Sequence, residues 1–123
     1  MRLTFILITF LFSLQAFSGG RDSLLKVQDL LQAPQKYDGM IVEVVGIVRI
    51  EFEGNSLYPD KTAYSKRSTE KGLWLEIAKT TFENPKNNGT HVVIKGKFNH
   101  ANKGHLGAWK GALENVTKLE VKK

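Results

Sequence analysis

The sequence predicts a mainly β protein: a small closed barrel of five strands with one short N-terminal α-helix. Three observations carry that expectation. Met40 to Glu53, MIVEVVGIVRIEFE, alternates with a period of two and is rich in Val and Ile, as a long half-buried strand requires. Glycines interrupt two of the strand-like stretches, at Gly46 and Gly96, which suits bends at barrel corners. Only one segment, near the start of the chain, has helical spacing. Closing five short strands into a barrel also removes the exposed edges that promote aggregation.

Residues 1–18, MRLTFILITFLFSLQAFS, read as a cleaved signal peptide. Arg2 precedes a largely apolar run, and Ala16-Phe17-Ser18 offers small residues at alternate positions before Gly19-Gly20. The run covers about 12 residues, too few for a spanning helix of about 20. The expectation is an exported protein, periplasmic or secreted, with residues 19–123 as a single domain and no membrane span in the mature chain. The chain has no cysteine, which excludes disulfides and thiolate metal sites.

From Arg21 to Ala33, Leu24, Val27, Leu30 and Leu31 recur at helical spacing, with Asp22 or Ser23 as the expected N-cap and Pro34 as the stop. Tyr37-Asp38-Gly39 turns the chain into the long strand. Its wholly apolar face is Val42, Val44, Gly46, Val48, Ile50 and Phe52; the opposite face ends in Arg49, Glu51 and Glu53. Gly54-Asn55-Ser56 is a turn, and Leu57-Tyr58 opens a short second strand. Pro59 to Gly72 is polar and basic and reads as a long exposed loop. Leu73 to Ala78 is the third strand, with Leu73, Leu75 and Ile77 inward and Trp74 and Glu76 outward. Lys79 to Gly89, carrying Pro85, is a connector. His91 to Phe98 is the fourth strand. Asn99 to Gly111 is a glycine-rich loop, and Ala112 to Val121 the fifth strand. The apolar phase of that last strand slips between Leu113 and Val116, which predicts a bulge.

Asp29-Leu30-Leu31 through Pro34, then Tyr37-Asp38-Gly39, Val42, Val44 and Gly46, resemble the opening of small exported bacterial OB-fold (oligonucleotide/oligosaccharide-binding) domains. Glu51-Phe52-Glu53-Gly54 with Leu57-Tyr58, and Gly104-His105-Leu106-Gly107 with Gly111, resemble their later segments. The resemblance implies an OB-like barrel that binds along the outer face of strands two and three, flanked by the loops after strands one and four. One departure is that many OB-folds carry a helix between strands three and four, where this chain has the Pro85 connector. The N-terminal helix is then the expected cap.

On this chain the implied surface holds Tyr58, Trp74, Lys103, His105, Trp109 and Lys110, with Arg49, Lys95 and Lys97 as outward candidates on the neighbouring strands. Aromatic residues interleaved with cations suit single-stranded nucleic acid, and tryptophan faces equally suit sugars. Net charge is +6, and a chain from Gly19 keeps +5, from seventeen basic and twelve acidic residues. That charge can attract polyanions, but no dense Lys/Arg tract forms a binding tail. Nucleic acid is permitted by the fold and disfavoured by export.

Glu51 and Glu53 share a strand face, and His105 lies between glycines; an acid/base or cation-binding reading rests on these three alone. No nucleophile elbow, phosphate loop or zinc-binding spacing exists. No catalytic residue, metal ligand or cofactor is assigned. The expected function is a non-enzymatic binding module for a polyanion, a glycan or a protein. The alternative is an envelope accessory domain that contacts proteins and whose basic charge is incidental.

Overall fold

The computed structural model describes residues 24–77 and 85–122. The signal-peptide reading, the Asp22 or Ser23 cap and the first half of the 79–89 connector lie outside the described residues. The elements are β1 (Leu24–Lys26), α1 (Val27–Gln32), α2 (Pro34–Tyr37), β2 (Ile41–Arg49), β3 (Ser56–Tyr58), α3 (Lys61–Lys66), β4 (Leu73–Ile77), β5 (His91–Asn99) and β6 (Ala112–Val121). The strands run in the order β1-β2-β3-β4-β6-β5, and β2 also pairs with β5, which closes a five-stranded barrel. The β4–β6 pair is parallel and the other four closing pairs are antiparallel. This is an OB-like barrel with β1 as an added strand.

The long strand organises the barrel. Ile41 to Ile47 of β2 pairs with β5, while Ile47 to Arg49 pairs with β3, so one strand serves both halves. Gly46 sits where β3 begins to run alongside. A Cβ there would lie 2.7 Å from Leu57 Cγ and 2.8 Å from the Tyr58 carbonyl oxygen. The glycine thus permits a close strand approach; β2 itself has no bulge at this point. The bulge predicted between Leu113 and Val116 is present. The β4–β6 register shifts between Leu75 and Ile77, opposite Leu113 and Val116, and Asn115 takes a φ of 49°. Gly96 faces the same irregularity, since a Cβ on it would lie 2.9 Å from the Glu114 carbonyl oxygen.

The core joins Val42, Val44, Val48 and Ile50 of the long stretch to Leu57, Leu73, Leu75, Val92, Ile94, Phe98, Leu113 and Val116. Val27 and Leu30 of α1 enter the same core, fully buried, so the N-terminal helix does cap it. At roughly 25 cal/mol per Å² of apolar surface removed from water, this core is the main source of stability.

Three expectations are corrected. Residues 24–26 are strand, and the helix starts only at Val27. Leu24 to Lys26 pair in parallel with Glu43 to Val45, so sheet pairing overrides helical spacing, and the Asp29 carboxylate accepts the Lys26 N–H at 2.7 Å to start the helix there. Pro59 to Gly72 is not a plain loop. The Asp60 carboxylate caps α3 by accepting the Ala63 N–H at 2.8 Å, Arg67 closes it at a φ of 49°, and Thr69–Lys71 forms a 3₁₀ turn. Phe52 leaves the apolar face. Strand pairing ends at Arg49 opposite Ser56, and the turn carries Phe52 out to 92% exposure.

Candidate functional site

Two loops meet at one end of the barrel. The β2–β3 loop presents Glu51, Phe52 and Glu53, and the β5–β6 loop presents residues 100–111. His105 Nε2 lies 3.3 Å from a Glu53 carboxylate oxygen and ties the two together. Between them, on the outer side of β4, stands Trp74. His105 stacks on its indole with ring centroids 6.4 Å apart and planes 22° apart. Trp109 leans on it at 6.0 Å, and Tyr58 continues the row at 5.9 Å from Trp109.

Local backbone chemistry makes this cluster possible. Gly104 adopts φ 67° and ψ −161°, a conformation essentially reserved for glycine. A Cβ there would lie 2.5 Å from Trp109 Cδ1 and 2.7 Å from Trp74 Cγ. The glycine lets the loop backbone run against both indoles. Trp109 also packs over Gly72, where a Cβ would meet its ring at 3.0 Å. The Trp109 N–H donates to the Lys103 carbonyl at 2.9 Å, which folds the loop back on itself.

A polar network borders the aromatic row. The Asn102 side-chain N–H group donates to Glu76 on β4 and to Glu114 on β6, each at 2.9 Å. Asn99 also donates to Glu114 at 3.1 Å. Glu76 is exposed and Glu114 and Trp74 are half-buried. The face therefore combines a partly exposed indole with carboxylates and amides held in fixed positions.

The ligand-binding residues singled out by sequence divide into three groups. Trp74, His105, Lys103 and Lys110 lie on the face or in its loop. Lys110 and His105 are exposed, while the half-buried Lys103 donates through Nζ to the Lys110 carbonyl at 3.2 Å. Lys95 and Lys97 are exposed on β5, with Lys97 opposite Glu114 and Lys95 opposite Lys118 and Glu43. They stand beyond β6 from Trp74. Tyr58 and Trp109 are corrected as contact residues: at 1% and 6% exposure their rings are packed, Tyr58 against Tyr64 and Trp109, and Trp109 between Tyr58 and Trp74. Glu51 and Glu53 have separate partners. Glu51 accepts from Arg67 at 3.0 Å, and Glu53 meets His105.

Sequence reasoning missed Asn99, Asn102, Glu76 and Glu114 as a set. Glu76 alone was placed outward by strand alternation. Glu114 precedes the bulge, where alternation breaks, and nothing in the loop sequence says that Asn102 reaches both strands. Among the described residues, no three His, Asp or Glu side chains converge as a metal-binding set. Among them too, no helix is long and apolar enough to cross a membrane. No protein family, curated protein or solved structure matches the chain.

Proposed function

We propose that the protein is an exported, non-enzymatic binding module whose Trp74 face takes a neutral oligosaccharide. The observation that carries this reading is the chemistry around the half-exposed indole. Beside it on the outer face, Glu76 of β4 and Glu114 of β6 are held by the amides of Asn102 and Asn99, and His105 stacks on the ring. Carboxylates and amides accept and donate to hydroxyl groups, while an aromatic surface packs against the apolar face of a sugar ring. The same carboxylates repel a polyanion, and the strand lysines stand at the rim: Lys97 lies on the far side of Glu114 from β4. The resemblance to OB-fold domains supports the choice of face.

The test is tryptophan fluorescence of the chain from Gly19, which retains every described element, in a Trp109→Phe background that isolates Trp74. Neutral oligosaccharides of several backbones, a heparin-like glycan and single-stranded oligonucleotide are titrated at low and moderate salt. The expected result is a salt-insensitive shift with a neutral sugar, weakened about tenfold by Glu114→Gln if one charge-assisted hydrogen bond is lost. A shift confined to the anions and lost steeply with salt would overturn the reading in favour of counterion release. Absence of any response to the sugars would sink it as well.

A further inference from the structure

We infer that the joined tips of the β2–β3 and β5–β6 loops form a docking surface for an anionic lipid bilayer, with Phe52 and Leu106 as the inserting anchors. This goes beyond the sugar-binding reading and does not depend on it. Phe52 and Leu106 are 92% and 89% exposed, well above Ile41, the next most exposed large hydrophobic among the described residues, at 69%. They are the sequence neighbours of Glu53 and His105, whose 3.3 Å contact holds the two tips together.

The backbone at these tips is costly. Glu53 has a φ of 51° and Leu106 a φ of 58°, the left-handed region that a branched side chain such as leucine seldom enters. Both strained residues sit at the point of the turn, and the result is an apolar side chain held in water on each loop. Strain held at the tips of two loops whose apolar side chains stand in water points to a role outside the fold.

The charge nearby suits an anionic surface. From Asn99 to Gly111 the loop carries Lys103, Lys110 and two histidines and no acidic residue. Across from it, Glu51 is offset by Arg67 at 3.0 Å and Arg49 at 4.0 Å, and Glu53, the one other carboxylate of that tip, is turned to His105 at 3.3 Å. Glu76 and Glu114 belong to the strand face, where Asn102 holds them. Two protruding anchors with basic neighbours are a two-part signal of the kind that gives reversible membrane attachment. A bilayer accepts such projections without needing a shaped pocket, as a protein partner would.

The experiment is co-sedimentation of the chain from Gly19 with sucrose-loaded vesicles. One set is pure phosphatidylcholine and the other contains one quarter phosphatidylglycerol. Binding is expected to the anionic set and to fall with salt. Phe52→Ser and Leu106→Gly should each weaken it by at least about tenfold, from the lost burial of one large apolar side chain. Leu106→Gly also relieves the left-handed backbone at an exposed position, and an unchanged unfolding midpoint separates its loss of binding from loss of fold. Lys110→Gln should weaken it about fivefold. The inference is overturned if the wild type leaves anionic vesicles unbound, or if the Phe52→Ser/Leu106→Gly double variant binds them as the wild type does. Sedimentation equilibrium supplies the competing outcome. A dimer that the double variant dissolves would mean that a second copy covers the tips. Failure of the sugar titration has no bearing on either result, since neither anchor belongs to the Trp74 face.

Discussion

Replacing Gly104 with alanine probes the whole arrangement of the loop end through one methyl group. Two separate penalties arise. The backbone at φ 67° and ψ −161° is a region that costs a residue with a Cβ about 1–3 kcal/mol. The new methyl would also stand 2.5 Å from one indole and 2.7 Å from the other, an overpacking that costs about 1–3 kcal/mol in a well-packed cluster. If the loop holds its position, the total is about 2–6 kcal/mol. If the loop yields, the loss moves toward the lower figure, and the His105–Trp74 stack and the His105–Glu53 contact separate. Gly107→Ala is the matched control. Gly107 also has a φ of 67°, yet a Cβ there meets nothing within 4 Å. Guanidinium denaturation of both variants compares a positive-φ glycine seated against two indoles with one in open space, and near-UV circular dichroism reports the indole environment. Equal losses in the two variants, or a Gly104→Ala loss below about 0.5 kcal/mol with an unchanged near-UV spectrum, would refute the claim that the loop backbone is seated against the two tryptophans.

Three other substitutions follow from the same geometry. Asp60→Ala removes the side-chain acceptor of the Ala63 N–H and should cost about 1 kcal/mol in denaturant unfolding, with Asp60→Asn largely restoring it. Asn88→Ala removes both hydrogen bonds to Ile50, from its N–H at 2.6 Å and to its carbonyl at 3.0 Å, at the point where β2 leaves the sheet. A loss of about 2 kcal/mol is expected in thermal or denaturant unfolding, and a change below about 0.5 kcal/mol would contradict the bridging role. Arg49→Lys keeps the charge but gives up the flat guanidinium 3.8 Å from the Tyr64 ring centre and its bond to the Tyr64 carbonyl; about 1 kcal/mol should be lost, read by the same unfolding curves.

Barrel architecture was legible because it rests on side-chain period and on glycines with little freedom to be elsewhere. Alternation in Met40 to Glu53 and in His91 to Phe98 marked two long strands, and the phase slip after Leu113 marked the bulge that Asn115 occupies. Leu24 to Lys26 misled because the same leucines satisfy a helical face and a parallel strand. The choice was settled by β2, a partner more than fifteen residues away. In Pro59 to Gly72 the signal was local and available: Asp60 followed three residues later by the amide it caps. Polar composition hid it. At the candidate site, Trp74 and His105 were legible as an outward strand residue and a glycine-flanked loop residue. Burial of Tyr58 and Trp109 was not, because it depends on Gly72 and Gly104 admitting an indole between separate segments.

By itself, then, the sequence determined a small, basic, cysteine-free barrel with its bulge in place, since these depend on the period and the backbone freedom of contiguous residues. Only the tertiary structure decided what the loop end presents. It joined Glu53 to His105, hung Glu76 and Glu114 from Asn102, buried two of the three aromatics expected to face a ligand and left Phe52 and Leu106 in water. Each of those outcomes is a contact or a solvent exposure set by residues far apart in the chain. Their relative positions follow from barrel closure, which no local pattern encodes.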